Sequence, residues 1–238
     1  MSDKSEFVIL ISANTEWRVV RSFFHENNVH KSPYGEWFDL RYKDLPLLEN
    51  PIIFFHGGWG KVSAAGSTQY AILTWRPQLI VNLGTCGGFD GRINIGDIIL
   101  AENTIIYDIY EQMGDPDEHI KRYSTIIDNS WLTDPLPSPV IRTLLISGDR
   151  DLFCDEIGSL NKKYGAIAGD WESGAIAWVA GKNHTPCLIL RGVTDLVSDI
   201  DGGAYDGNIE QFYHNTEIIM SNLLDSLPGW LSAYVNKH

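Results

Sequence analysis

The sequence predicts an α/β protein, a three-layer α/β/α sandwich with a mixed, mostly parallel central sheet. Short β-branched apolar runs alternate with stretches of helical spacing along the chain, with no internal repeat and no linker-like shift in composition. With 238 residues, 44% of them hydrophobic, the chain can bury one large core, so residues 1–238 are expected to form a single domain. Several apolar runs end in Gly-rich or acidic segments, and such strand ends are where open α/β sheets place ligands.

Phe7-Val8-Ile9-Leu10-Ile11 reads as a buried first strand, followed by the turn Ser12 to Thr15 and a helix from about Glu16. Val19, Val20, Phe23 and Phe24 recur at helical spacing and should pack on the sheet. Trp37 to Tyr42 and Ile52 to Phe55 read as the next strands. Gly57, Gly58 and Gly60 then form a turn, and the helix from Lys61 to Trp75 closes at Arg76-Pro77, because proline cannot continue it. Leu79 to Leu83 is strand-like and is expected to end in a Gly84 to Gly88 turn. Ile95 to Asp108 carries two apolar pulses and suits a long or bent strand. Glu111 to Pro139 holds four of the ten prolines and is expected to be loop plus irregular helix over one face. Arg142 to Ser147 is a strand ending at Gly148-Asp149, and a polar stretch then reaches Tyr164. Trp171 to Ala180 reads as a small-residue helix, and Pro186 to Asp195 as the last buried strand, with an acid at its end. A Gly-rich loop from Asp201 to Gly207 precedes a closing helix from Ile209 to Leu227, which Pro228-Gly229 should break.

The charge balance excludes several classes of partner. Eighteen Lys and Arg against 31 Asp and Glu leave a formal net charge of −13, a surface that repels nucleic acid and anionic membranes. A small neutral or cationic ligand suits it better. The three cysteines, Cys86, Cys154 and Cys187, lack CxxC spacing and fit buried thiols of a reduced compartment. No apolar stretch reaches membrane-span length and MSDKSEF lacks a signal-peptide layout, so the cytoplasm is expected. Cys86 has no nearby His or base motif to make it a nucleophile, so it reads as a small filler residue. His56, His184 and His214 have no metal-ligand spacing, and no metal or organic cofactor is implied.

GGWGKVSAA, NLGTCGGFD and INIGDIIL, in this order from Gly57 to Leu100, resemble the nucleoside phosphorylase and nucleosidase superfamily. The chain is most similar to the methylthioadenosine/S-adenosylhomocysteine nucleosidases, whose members carry G-[IV]-G-K-[VT]-N-A-A and N-x-G-[ST]-A-G-G-F. The resemblance runs in blocks from about Phe7 to Leu227. It implies an N-ribosyl hydrolase acting on a purine nucleoside, with 5′-methylthioadenosine or a related 5′-thio nucleoside such as S-adenosylhomocysteine as the expected substrate.

The resemblance also assigns residues. Arg191-Gly192-Val193-Thr194-Asp195 matches the family's R-x-[IV]-[ST]-D, whose aspartate is the general acid toward N7 of the purine. Protonating the leaving base neutralises the charge it gains as the glycosidic bond stretches. Such an acid must hold its proton near neutral pH, which requires burial or neighbouring carboxylates. Gly169-Asp170-Trp171-Glu172-Ser173 matches V-E-M-E-[AGS], which puts the ribose-holding glutamate on Glu172 and a tryptophan, Trp171, where the family's methionine lines the sugar pocket. The family's G-A-M-x-x-E glutamate, which positions water, falls on Trp17 in one register and on Glu16 in the other. Glu16 is the only acid in that turn. Thr85, Gly87 and Gly88 are placed near the sugar and nucleophile. Ser147, Asp149 and Phe153 match the base-binding S-G-D-x-F-[IV], with the aromatic displaced by two positions.

Related phosphorylases place an arginine two residues before the Gly of the G-[ST]-C-G turn, where a planar fork can clamp phosphate. Here Asn82 occupies that place, which favours water as the nucleophile. A phosphorylase, and a non-catalytic nucleoside-binding protein of the same fold, are the alternatives. Family members are usually symmetric oligomers, so a homodimer or higher homo-oligomer is expected, with no nucleic acid and no membrane partner.

Overall fold

A computed structural model of the chain describes residues 7–25, 28–41, 50–198 and 209–237. In chain order its elements are β1 (Phe7–Ile11), α1 (Asn14–Phe23), β2 (His30–Lys31), β3 (Glu36–Leu40), β4 (Ile52–His56), α2 (Gly60–Trp75), β5 (Leu79–Phe89) and β6 (Ile98–Ile106). Then follow α3 (Pro116–Arg122), β7 (Ser124–Ile126), β8 (Ile141–Ser147), α4 (Cys154–Tyr164), β9 (Ala168–Asp170), α5 (Ser173–Lys182), β10 (Cys187–Val197) and α6 (Ile209–Val235). Tyr42 and the expected loop from Asp201 to Gly207 lie outside the described residues.

The strands make one mixed sheet. β1 lies between β4 and β5, parallel to both, and β10 runs parallel to the other edge of β5. β5, β10, β6, β8 and β9 form a closed circuit, because β9 pairs with both β8 and β5. Strand β1 shows why the runs are apolar without alternation: both of its faces are covered. Phe7, Ile9 and Ile11 pack with Trp17 and Val20 of α1 and with Met220, Leu224 and Leu227 of α6. Val8 and Leu10 point the other way, into a second core with Ala64, Ala71 and Trp75 of α2 and Ile176 of α5. Helices on both faces of one sheet are the three layers expected from the alternation of elements.

Several expectations need correction. Gly84 to Gly88 is not a turn: β5 runs on to Phe89, with Gly87 and Gly88 paired to β10 on one side and to β9 on the other. The low strand propensity of glycine is overridden by pairing on both edges. Trp171 precedes α5, with Glu172 at the N-cap position. The polar stretch before Tyr164 holds α4, and the segment 111–139 contains α3 and β7. Pro228 does not end α6, which continues to Val235, held by the buried Trp230, Leu231 and Tyr234. Tyr234 also donates its hydroxyl to the Gln78 carbonyl at 3.0 Å.

Candidate active site

The C-terminal ends of β1, β5 and β10 and the N-terminal ends of α1, α2, α5 and α6 open on one cavity of about 520 Å³. That size suits a nucleoside-sized ligand. Each helix N-terminus carries unsatisfied N–H groups and a positive dipole end, which favour carboxylates here.

Glu16 is the first of these carboxylates. Ala13 has no side chain to cap α1, so Glu16 reaches back and accepts the Ala13 N–H at 3.0 Å through Oε2. Its other oxygen accepts from Thr85, from the backbone N–H at 2.6 Å and the hydroxyl at 2.9 Å. The side chain is thereby fixed in the cavity wall. Trp17 points away, stacked on His56 with ring centroids 5.4 Å apart and packed against Phe38. Of the two sequence registers, the cavity therefore receives Glu16.

Glu172 comes from the opposite side. Its Oε1 accepts the Gly60 N–H at 3.0 Å, a bond that ties the start of α2 to the start of α5. Gly60 has φ +82°, a left-handed conformation that favours glycine. The residues before each partner, Trp59 and Trp171, stack with centroids 4.8 Å apart and 23° between planes. Both line the cavity.

Asp195 is not at a strand end but inside β10, just after a bulge between Val193 and Asp195. A bulge re-aims side chains, and here Asp195 lines the cavity opposite its pairing partner Gly87. A Cβ on Gly87 would lie 3.8 Å from Asp195 Oδ2 and 3.2 Å from Leu152. Glycine keeps that space open between acid and apolar wall. Thr194 donates its hydroxyl to Asp195 Oδ1 at 2.7 Å.

Beneath the cavity lies Arg191, 1% exposed, which the sequence reading left without a role. Its guanidinium lies 3.0 Å from Asp170, 3.5 Å from Glu172 and 3.6 Å from Glu16. It also donates to Asn82 Oδ1 at 2.8 Å, Ser173 Oγ at 3.0 Å and the Thr85 carbonyl at 3.2 Å. A single arginine inside an apolar strand run was the signal available, since a buried cation demands partners. Burial pushes the Glu172 carboxyl up to about 8, against the pull of Arg191 and with Asp170 and Glu16 adding to the rise. Burial likewise pushes the Cys86 thiol far up, so it presents no thiolate to the cavity it lines.

Thr85, Gly87, Trp171, Glu172, Glu16 and Asp195 are thus brought together around one cavity. Four other expected residues do not line it. Gly88 faces the far side of β5, where a Cβ would lie 2.6 Å from Ile93. Ser147 is fully buried, donating to Asp170 at 2.6 Å and accepting the Gly174 N–H at 2.8 Å. Asp149 accepts the Lys61 N–H at 2.7 Å at the start of α2. Phe153 is the N-cap residue of α4 and is 48% exposed, under the Arg150 guanidinium. From that part of the chain the cavity is walled instead by Arg150, Asp151 and Leu152, and α6 adds Ile209, Phe212 and Tyr213. Among the described residues no cluster of His, Cys, Asp and Glu has a metal-binding arrangement, and no helix is long and apolar enough to cross a membrane.

Comparison with known proteins places this geometry. The family description "Phosphorylase superfamily" matches residues 45–227. The 5′-methylthioadenosine/S-adenosylhomocysteine nucleosidase of Buchnera aphidicola is 30% identical over 189 residues, 73% of this chain and 82% of that protein. The enzyme of the same name from Staphylococcus aureus is 25% identical over 202 residues, 78% of this chain and 84% of that protein. Among solved structures, the Arabidopsis thaliana 5′-methylthioadenosine nucleosidase superposes with a TM-score of 0.76 at 23% identity, covering 95% of this chain and 96% of that one. With the family match spanning most of β4 to α6 and the Buchnera relative aligned over most of its length, the chain belongs to the phosphorylase superfamily, in its 5′-methylthioadenosine/S-adenosylhomocysteine nucleosidase branch.

Proposed function

We propose that the protein is an N-ribosyl hydrolase that cleaves the glycosidic bond of 5′-methylthioadenosine or S-adenosylhomocysteine. The observation that carries this is the convergence of Glu16, Glu172 and Asp195 on one cavity from three separate parts of the chain. Glu172 accepts hydrogen bonds from the ribose hydroxyls. Glu16, held by Thr85 and the Ala13 N–H, orients a water and takes its proton as the oxygen bonds to C1′. Asp195 gives its proton to N7, so the N9–C1′ bond breaks with the base leaving neutral. Trp171 and Trp59 wall the sugar end, and Leu152 meets the base.

Water is favoured over phosphate by the surroundings of Arg191. The guanidinium buried beneath the cavity faces three carboxylates, and Arg150 in the wall is paired with Glu156 at 2.6 Å, so no net positive charge is left for an anionic nucleophile. Adenine release should be independent of phosphate, and Asp195→Asn should abolish it. Strict dependence on phosphate, with ribose 1-phosphate formed, would establish the phosphorylase alternative.

The whole chain acts as one domain in this reading, since the sheet draws strands from β1 to β10. A homodimer is supported by α2, which is apolar on both sides. Ala64, Ala71 and Trp75 are buried, while Val62 and Leu73 are 84% and 68% exposed. Replacing both Val62 and Leu73 with glutamate should yield a monomer in sedimentation analysis, whereas an unchanged mass would remove this face from the interface. Cys86, Cys154 and Cys187 are free thiols, in keeping with the reducing cytoplasm.

A further inference from the structure

Helix α2 begins without a cap of its own. Trp59 holds its N-cap position and makes no side-chain bond to the first turn, and that turn contains no acid. Such a start leaves N–H groups to be satisfied from elsewhere. Two carboxylates from distant parts of the chain take them: Glu172 accepts the Gly60 N–H at 3.0 Å, and Asp149 accepts the Lys61 N–H at 2.7 Å through Oδ1. The two N–H groups belong to adjacent residues, so what fixes one sets the aim of the other.

Asp149 is itself held by the sheet. Strands β6 and β8 run parallel with Ile106 opposite Ser147, and each carries an acid two positions farther on, Asp108 and Asp149. Asp108 accepts the Asp149 N–H at 2.8 Å through Oδ2 and pairs with Lys61 Nζ through Oδ1, while Nζ lies 3.9 Å from Asp149 Oδ2. Gly60 leaves room for this approach, since a Cβ there would lie 3.2 Å from Asp149 Oδ1. Lys61, Asp108 and Asp149 do not line the cavity, so any effect they have on the reaction passes through a neighbour. We propose that Asp149 is a positioning residue for Glu172: by holding the first turn of α2 it aims the Gly60 N–H, which in turn fixes the Glu172 carboxylate toward the ribose hydroxyls. Lys61 and Asp108 brace Asp149 in that task. This rests on the nucleosidase reading above and deepens it, since it names what aims the ribose-holding acid.

The test uses the full chain with 5′-methylthioadenosine and its 2′-deoxy analogue as substrates. Asp149→Ala removes the acceptor of the Lys61 N–H and should lower kcat/KM for 5′-methylthioadenosine roughly ten- to 100-fold, the scale of a displaced contact. The 2′-deoxy analogue, which lacks one of the hydroxyls that Glu172 accepts from, should lose less. Asp149→Asn keeps an oxygen for that N–H and should recover most of the loss. In a Glu172→Ala background, Asp149→Ala should lower kcat/KM no further, because no carboxylate remains to be aimed. Circular dichroism checks the fold of each variant; if Asp149→Ala does not fold, Asp108→Ala, which frees the Asp149 N–H, carries the same comparisons. Equal losses for both substrates, an undiminished loss in the Glu172→Ala background, or no loss at all would overturn the positioning role while leaving the hydrolase reading intact. Absence of adenine release from both substrates by the unaltered protein would overturn the hydrolase reading, and the positioning role with it.

Discussion

Replacing Arg191 with methionine removes the one cation that three buried carboxylates share. The guanidinium is 1% exposed, and the side chains of Glu16, Asp170 and Glu172 are 2%, 2% and 5% exposed. Methionine keeps much of the volume, so the change is mainly one of charge and hydrogen bonding. Removing one partner of a buried ion pair costs about 3–5 kcal/mol, because the remaining charge is left in a poorly solvated place. For a domain of this size each kcal/mol moves the melting temperature by about 2–4 °C, so the loss should be roughly 6–20 °C. The loss should be greatest above about pH 8, where Glu172 ionises as well. It should shrink toward about pH 5, because a protonated Glu172 adds no charge that needs a cation. Circular-dichroism melts of both proteins across that range measure the gap. A melting temperature within about 2 °C of the parent at every pH would refute the reasoning, since a gap that small is under about 1 kcal/mol and would mean that Arg191 compensates no buried charge.

Other consequences follow from the same geometry. Glu172 holds its proton up to about 8 when folded, whereas its ordinary value is 4.5, so the folded state binds more protons between those values. Stability contributed by this group is therefore full below the lower value and falls as pH rises through the window, by about 1.4 kcal/mol per unit; Glu172→Gln should flatten that slope in denaturant titrations. A Cβ added at Gly84 would lie 2.8 Å from Glu16 Oε1 and collide with the Arg191 guanidinium. Gly84→Ala should thus lower adenine release about 100-fold, in a protein whose circular dichroism shows it folded. Trp17→Ala should cost about 3–5 kcal/mol of stability as a core truncation and leave KM unchanged. Glu16→Gln should instead keep the melting temperature within a few degrees and lower kcat by at least about 100-fold; the reverse pattern would return the catalytic place to Trp17.

Sequence reasoning located the layers because both faces of the sheet are covered, which leaves uninterrupted apolar runs such as Phe7 to Ile11. It misread places where long-range pairing overrides local preference. Glycines at 84, 87 and 88 look like turn residues, and only pairing with β10, joined at 87 and 88 by β9 on the other edge, makes them strand. Pro228 looks like a helix stop, but three buried aromatic and aliphatic side chains beyond it hold the last turns of α6 in place. Motif positions point to the acids that line the cavity, and what holds those acids is not legible in the sequence. Arg191 binds partners more than 100 positions away in sequence, such as Asn82 and Thr85, and no local pattern reports such bonds. The S-G-D wording points to Ser147, Asp149 and Phe153, yet Phe153 at the start of α4 is half exposed, and Arg150, Asp151 and Leu152 line the cavity instead.

The bonds of Arg191 constrain how this enzyme can be altered. They join β10 to α1, β5, β9 and the start of α5 through side chains that touch one another. Substitutions within such a cluster do not add, because each changes the charge the others must balance. A mutational path that exchanges Arg191 alone therefore leads through an unstable intermediate, and a new balance is reached only by changing its carboxylate partners together with it. Trp59 and Trp171 carry no such obligation: they meet each other and the cavity, outside the charge network. Epistasis is thus concentrated in the floor of the site, and new substrate preferences are most accessible through its walls.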